Sequence, residues 1–296
     1  MKGKTVLVTG GDMGLGLATA TALAARGATI VVAVRPPSDG SRTVAEIRRR
    51  TGNAEVSAVP LELSSLDKVR SAASEILDRC ERLDVLINNA GAMFGTRRES
   101  ADGFEMSIAV NYLGPFLLTH LLFERLAESI PARVVNVSSD LHRAAGAFDF
   151  DFHNQGSYSG FRAYGRSKLA LVLHARELAR RGRARGISAF AVTPGNVRTN
   201  VMRHGTTSRL QNWSVRLVSP LAISPDKGSG ASVYCATEPG LEDRSGGLFE
   251  RRFMGSYGRV RECQPSPHAL DDAAAAKLWE MSELLAAREV NRSEQP

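Results

Sequence analysis

Continuous apolar, β-branched runs alternate along the chain with stretches of helical periodicity. The runs are Thr5–Thr9, Thr29–Val34, Val56–Leu61, Val85–Asn88, Arg133–Ser138, Ser188–Val192 and, more weakly, Gly247–Phe249. Between them the pattern predicts helices over Leu15–Arg26, Ser41–Arg50, Ser65–Arg79, Phe104–Glu128, Ala163–Arg181 and Lys227–Thr237, with a last helix over about Asp271–Ala287. Strand cores such as VLV, IVVAV, VLI and RVVNV do not alternate with polar residues, which suits strands covered on both faces of a parallel sheet. Regular interleaving of strand and helix predicts the α/β class: a doubly wound parallel sheet, Rossmann-like. No linker or repeat divides the chain, so residues 1–296 are read as a single domain.

Composition narrows the picture. With 296 residues, 43% of them hydrophobic, the chain can build one large core. Cys80, Cys235 and Cys263 are scattered, with no CxxC pair, and read as free thiols of a reducing compartment. The first apolar run stops at Gly10, too soon for a secretory leader. No stretch approaches the roughly 20 apolar residues of a membrane span. A cytoplasmic protein without a transmembrane segment is the expectation. Net charge is +7, from 38 basic and 31 acidic residues. Arg48-Arg49-Arg50 and the arginines of Arg180–Arg185 fall at helix C-termini, where cations suit the helix dipole. No nucleic-acid motif accompanies them, so no nucleic-acid partner is expected.

The first strand runs into Thr9-Gly10-Gly11-Asp12-Met13-Gly14-Leu15-Gly16 and then a helix closed by Gly27. Glycines in such a turn permit positive φ and let backbone approach a pyrophosphate, which the helix N-terminus then attracts. The spacing, G-x3-G-x-G, differs from the general GxGxxG fingerprint. The second strand ends Val34-Arg35-Pro36. An NAD-selective site carries a carboxylate about 20 positions past the glycines to bond the ribose 2′-hydroxyl. Here Val34 occupies that distance and Arg35 follows, a guanidinium able to grip a 2′-phosphate through paired hydrogen bonds. The expected cofactor is therefore NADP(H).

Tyr164-Gly165-Arg166-Ser167-Lys168 opens the fifth helix. Residues i and i+4 share a helix face. A phenol ordinarily ionises near pH 10, and a neighbouring ammonium draws that value down, as an acid/base partner for hydride transfer requires. Tyr158, followed at i+4 by Arg162 in a glycine-containing stretch, reads as a loop or pocket residue instead.

TGGDMGLG, NNAG at Asn88–Gly91, Asn111, Ser138-Ser139, Tyr164/Lys168 and Pro194-Gly195 occur in that order. Together they resemble the single-domain short-chain dehydrogenase/reductase family. DGFE…VNYLGPFLLT, VVNVSS, AYGRSKLA and KLWEMSELL resemble its retinol-dehydrogenase-like branch, over about Lys4 to Ala287. The resemblance implies Tyr164 as general acid/base, with Lys168 binding the nicotinamide ribose and lowering the phenol's pKa. It implies that Ser139 bonds the substrate oxygen and that Asn111 holds a water in a proton relay. Cofactor contacts are implied at Gly10, Asp12, Gly14, Leu15 and Gly16, and at Arg35, Glu62 and Leu63. Further contacts are implied at Asn89 and Gly91 and at Pro194, Gly195, Val197 and Thr199, the last at the carboxamide. A substrate loop over about 196–225 and a homodimer or homotetramer built on the Phe104–Glu128 and Ala163–Arg181 helices are implied as well.

The chain departs from the family's pattern at several points. Asp12 stands where Asn or Ser is commoner, Glu62 replaces an adenine-contacting Asp, and Tyr112 and Pro115 replace residues commonly His in retinol-type relatives. Phe148-Asp149-Phe150-Asp151-Phe152-His153 places three possible metal ligands on one side of an extended segment, without an evident fourth; it reads as a half-buried loop near the substrate. Residues 209–224, with Leu210, Trp213, Val215, Leu217 and Leu221, read as a substrate lid in preference to a membrane contact. The expected activity is hydride transfer between NADP(H) and a carbonyl or alcohol of an apolar small molecule. A non-catalytic NADP(H)-binding sensor on the same fold is the alternative; the complete Ser-Tyr-Lys-Asn set argues against it.

Overall fold

The computed structural model describes residues 1–195, 224–251 and 259–288. Eight strands form one sheet: β1 (Thr5–Thr9), β2 (Thr29–Val34), β3 (Val56–Pro60), β4 (Val85–Asn88), β5 (Ala132–Val137), β6 (Ile187–Thr193), β7 (Leu248–Arg251) and β8 (Val260–Cys263). Their order is β3-β2-β1-β4-β5-β6-β7-β8. Every neighbouring pair is parallel except β7 and β8. The doubly wound parallel arrangement is thus present, with one antiparallel strand added at an edge. That edge strand, VREC, is short and mostly polar, which hid it in the hydrophobic pattern.

Alternate residues of each strand serve opposite faces, which explains the unbroken apolar runs. Leu7, Val31 and Leu86 join one cluster with helices α3 (Leu66–Arg79), α5 (Gly114–Leu121), α7 (Gly160–Gly182) and α10 (Asp272–Arg288). Val6, Val8, Val32 and Ile87 join the other, with α1 (Gly14–Ala24), α2 (Ser41–Thr51) and α9 (Gly230–Thr237). A short helix, α8 (Pro225–Gly228), precedes α9. Among the described residues no helix is long and apolar enough to cross a membrane.

The stretch Phe104–Glu128 is not one helix. It is α4 (Met106–Ile108), a π turn over Ala109–Leu113, α5, and α6 (Phe123–Glu128). Pro115 has no N–H to offer the carbonyl of Asn111, so regular i→i+4 bonding fails there. The chain widens by one residue, and Gly114 N donates to Ala109 O. The Phe148–His153 segment is not extended either. Phe150 has a φ of 59°, and Phe148 and Phe152 turn into the core. Asp149 is held by Arg166, with Nη1 to Oδ1 at 2.6 Å. The backbone N–H groups of His153 and Asn154 occupy the Asp151 carboxylate.

Candidate active site

The chain leaves β1 toward β2 on one side and, after β4, turns toward β5 on the other, so a crevice opens between the carboxyl ends of β1 and β4. The glycine turn stands at the first of these ends and Asn88–Gly91 at the second. Gly10 and Gly14 have φ of 62° and 52°, values that ordinary side chains resist. A Cβ on Gly16 would lie 2.1 Å from Gly10 O and 2.5 Å from Asn89 Nδ2, so only glycine lets α1 start this close to the strand. At Gly14 a Cβ would enter open space. No side chain caps the first turn of α1, whose Leu15 and Gly16 are buried. An uncapped helix start over a glycine floor is a seat for a phosphorylated ligand, and the residues present fit a dinucleotide there.

Asn89 shapes this floor. Its Nδ2 donates to Thr9 O at 2.8 Å and Gly10 O at 3.2 Å, while Asn89 N and Ala90 N both donate to Thr9 Oγ1 at 3.0 Å. Asp12 is half-buried in the turn. Arg35 is exposed at the end of β2, and among the described residues no ion pair or hydrogen bond engages its guanidinium. The nearby Asp39 is turned away to accept from Ser41 N at 2.9 Å, a bond that holds its carboxyl below the usual range. Glu62 Oε1 accepts from Ser64 N and Ser64 Oγ, at 3.1 and 2.8 Å, so its carboxylate is committed to its own loop. Leu63 O lies 2.7 Å from where a Cβ of Gly114 would stand, locking that loop against α5.

The side chains with candidate acid/base chemistry meet next to this crevice. Ser139 follows β5 and caps the 3-10 turn Asp140–Ala144, its Oγ accepting from Leu141 N at 3.3 Å. The same hydroxyl shares a hydrogen bond with Tyr164 near the start of α7. Lys168 Nζ donates to Val137 O at 2.8 Å and sits 5.5 Å from the Tyr164 ring centre. A Cβ on Gly91 would come within 3.0 Å of that Nζ and 3.2 Å of Asn111 Oδ1. Glycine therefore admits both groups to one point beside β4.

Asn111 is fully buried. Its Oδ1 accepts from Ala92 N at 2.8 Å, and its Nδ2 donates to Ala92 O at 2.9 Å and to Ser167 Oγ at 2.8 Å. Its side chain is thus spent on positioning, and a relay would have to run through the main-chain carbonyl that Pro115 leaves without an α-helical partner. Electrostatics differ from the simple expectation of an ammonium acidifying a phenol. Burial pushes Tyr164 up to about 12, only partly offset by Ser139, and pushes Lys168 down to about 7. Desolvation is the dominant cause for both groups.

Several further groups position these side chains, and of them Ser138 stands in a motif read from the sequence. Ser138 Oγ donates to Lys168 O at 2.8 Å, and Ser167 Oγ to Tyr164 O at 2.7 Å. A Cβ on Gly165 would lie 2.7 Å from Leu141 O. The run of small residues around Tyr164 and Lys168 is the one hint of such close packing. Tyr158, read as a loop or pocket residue, is an anchor: its hydroxyl has one proton to donate and lies 3.0 Å from two acceptors, Phe94 O and the buried Glu105 Oε1. His142 donates through Nδ1 to Ser139 O at 2.7 Å and accepts from Ser266 N at Nε2, a neutral ring that burial keeps below its usual pKa. Pro194 and Gly195 follow β6, with Gly195 at a φ of 74°. Val197, Thr199, the greater part of the 196–225 loop and the 209–223 stretch lie outside the described residues. Two cavities, of about 320 and 220 Å³, open elsewhere, beside Arg244 and Cys263 and beside Asp149 and Arg162. Neither is lined by Ser139, Tyr164 or Lys168.

Comparison with known proteins agrees with this geometry. A family model described as short chain dehydrogenase matches residues 4–209. Retinol dehydrogenase 12 of Homo sapiens is 41% identical over 289 residues, which cover 97% of this chain and 88% of that protein. Human retinol dehydrogenase 13 is 39% identical, over 99% of this chain and 88% of its own length. Among solved structures, an uncharacterized protein from Mycobacterium Paratuberculosis superposes with a TM-score of 0.75 at 33% identity, covering 97% of this chain and 94% of that one. A glycine turn at the sheet's crossing point, a serine, tyrosine and lysine gathered beside it, and relatives of this similarity over almost the whole chain place the protein in the short-chain dehydrogenase/reductase family of oxidoreductases, in its retinol-dehydrogenase-like branch.

Proposed function

We propose that this oxidoreductase uses NADP(H) to interconvert a carbonyl and an alcohol on an apolar small molecule, with Tyr164 as the general acid/base. One observation carries the reading: half-buried Ser139 and buried Tyr164 and Lys168 converge beside the crevice that the glycine turn floors. The turn and the start of α1 would hold the pyrophosphate, Arg35 the 2′-phosphate, and Tyr164 with Lys168 the nicotinamide ribose. When bound, the nicotinamide supplies or accepts the hydride.

The chain's own groups manage the oxygen and its proton. Ser139 Oγ, already bonded to Tyr164, orients the substrate oxygen toward the phenol. With its pKa pushed up to about 12, Tyr164 keeps its proton through the neutral range. That is the form able to donate to a carbonyl oxygen during reduction. Lys168, with its pKa pushed down to about 7, exchanges protons readily near neutrality and can restore the phenol through a relay. Names of the relatives carry retinol, and a long apolar alcohol or aldehyde is the substrate class we favour here.

Steady-state kcat/KM for NADPH and NADH with a panel of apolar aldehydes and ketones tests the proposal. NADPH should be preferred, and Arg35→Glu should reverse that preference by costing about 1.5–3 kcal/mol in NADPH binding, the worth of a charge-assisted hydrogen bond. A wild-type preference for NADH would overturn the cofactor assignment.

A further inference from the structure

Ser139 stands where the chain has left the sheet. Ser138 N still donates to Val192 O of β6, but the residues after Ser139 form the 3-10 turn Asp140–Ala144. The shape of that turn rests on His142, which is fully buried. Ser139 O accepts both from His142 N at 3.0 Å and from His142 Nδ1 at 2.7 Å. With the proton fixed on Nδ1, Nε2 keeps a lone pair, and Ser266 N donates to it at 3.4 Å. The next residue makes a second tie to the same segment, Arg143 Nη2 donating to Gln264 O at 2.7 Å.

That segment is stiff. Pro265 and Pro267 have no N–H, so Ser266 supplies the one main-chain donor across the three residues. Ser266 is buried and extended, at φ −65° and ψ 155°, as suits a residue before proline. Beyond it the 3-10 turn Pro267–Leu270 sinks Ala269 into the core and leads to α10. On the other side β8 is bonded to β7. All of this lies past residues 4–209, the part of the chain that the family model matches.

We propose, resting on Ser139 as the group that orients the substrate oxygen, that Gln264–Ser266 is a strap that sets the Ser139 turn from outside the crevice, with His142 as a positioning residue. The imidazole, held between Ser266 N and Ser139 O, fixes the peptide plane after Ser139 and with it the direction of Oγ toward Tyr164. A reacting group misplaced by about an ångström costs up to about a hundredfold in rate, so a bond to the serine's carbonyl is felt in kcat.

The two ring nitrogens can be replaced one at a time. His142→Asn keeps an amide N–H near the place of Nδ1, whereas His142→Gln reaches the place of Nε2 and leaves Ser139 O without its side-chain donor. In reduction of decanal by NADPH, His142→Gln should lose about tenfold to a hundredfold in kcat and His142→Asn no more than about fivefold, with KM for NADPH unchanged in both. Amide exchange read by mass spectrometry should quicken over residues 139–145 in the Gln variant and stay near wild type in the Asn variant. Arg143→Ala, at an exposed side chain, cuts the other tie and keeps the test open should the Gln variant not fold. It should quicken the same exchange and lower kcat by about twofold to fivefold. Asn and Gln variants that lose kcat equally, a loss carried by KM for NADPH, or an Arg143→Ala chain with wild-type exchange and kcat would each overturn the strap. Tyr164→Phe in the same assay tests the proposed activity separately: if it turns over like wild type, that assignment falls, and the exchange rates still decide whether His142 holds the turn.

Discussion

Lys168→Met should make the fold more stable at neutral pH while abolishing turnover. Lys168 is 3% exposed, and burial lowers its ammonium pKa from 10.5 to about 7. In the unfolded chain the same amine keeps its proton to near pH 10. Between pH 7 and 10.5 the unfolded state therefore binds more protons, and stability rises with pH across that window. At about 1.4 kcal/mol per pH unit, the penalty on the buried charged form is on the order of 4–5 kcal/mol. Methionine has similar length and no charge. It gives up the bond from Nζ to Val137 O, worth about 1 kcal/mol net. The variant should thus gain about 2–4 kcal/mol at pH 7, and the gain should shrink as pH rises toward 10.5, above which the wild-type lysine is neutral in both states. Urea unfolding of both proteins at pH 7 and pH 9.5 measures this directly. A variant less stable than wild type at pH 7, or a gain that does not fall with pH, would refute the desolvation argument.

Two further substitutions probe the floor of the crevice and the oxygen site. Gly16→Ala puts a Cβ 2.1 Å from Gly10 O, so the α1 start must move; a loss of about 1–3 kcal/mol in urea unfolding, with weakened NADPH binding by titration, is expected. Ser139→Ala removes both the proposed substrate donor and the bond that partly offsets the raised Tyr164 pKa. Its kcat should fall by about 10²–10³, and any alkaline limb of the rate profile should move to higher pH.

Periodicity located β1 to β6 because each buries residues on both faces, and the resulting apolar runs are hard to mistake. The same pattern hid the break inside Phe104–Glu128, since a π turn changes hydrogen bonding and leaves the apolar spacing almost intact; Pro115 was the readable clue. The strand β8 was missed because its two central residues, Arg261 and Glu262, are charged and exposed, so no apolar run marks it. Within the site, Tyr164, Lys168 and Ser139 were legible as residue types at fixed offsets. The sign of their electrostatics was not, because the balance between attraction and desolvation depends on burial, which only packing determines. Likewise Tyr158 and Glu105 meet across 53 residues of sequence, a pairing that no local pattern records.

Single-turnover reduction of an apolar aldehyde by NADPH, followed at 340 nm, bears most directly on Tyr164 as the proton donor. Tyr164→Phe keeps the ring and deletes only the hydroxyl, so NADPH affinity should drop by no more than the one ribose hydrogen bond, about 0.5–1.5 kcal/mol, while the hydride-transfer rate falls by about 10²–10⁴. A variant that binds NADPH and reduces the aldehyde within tenfold of the wild-type rate would contradict the account.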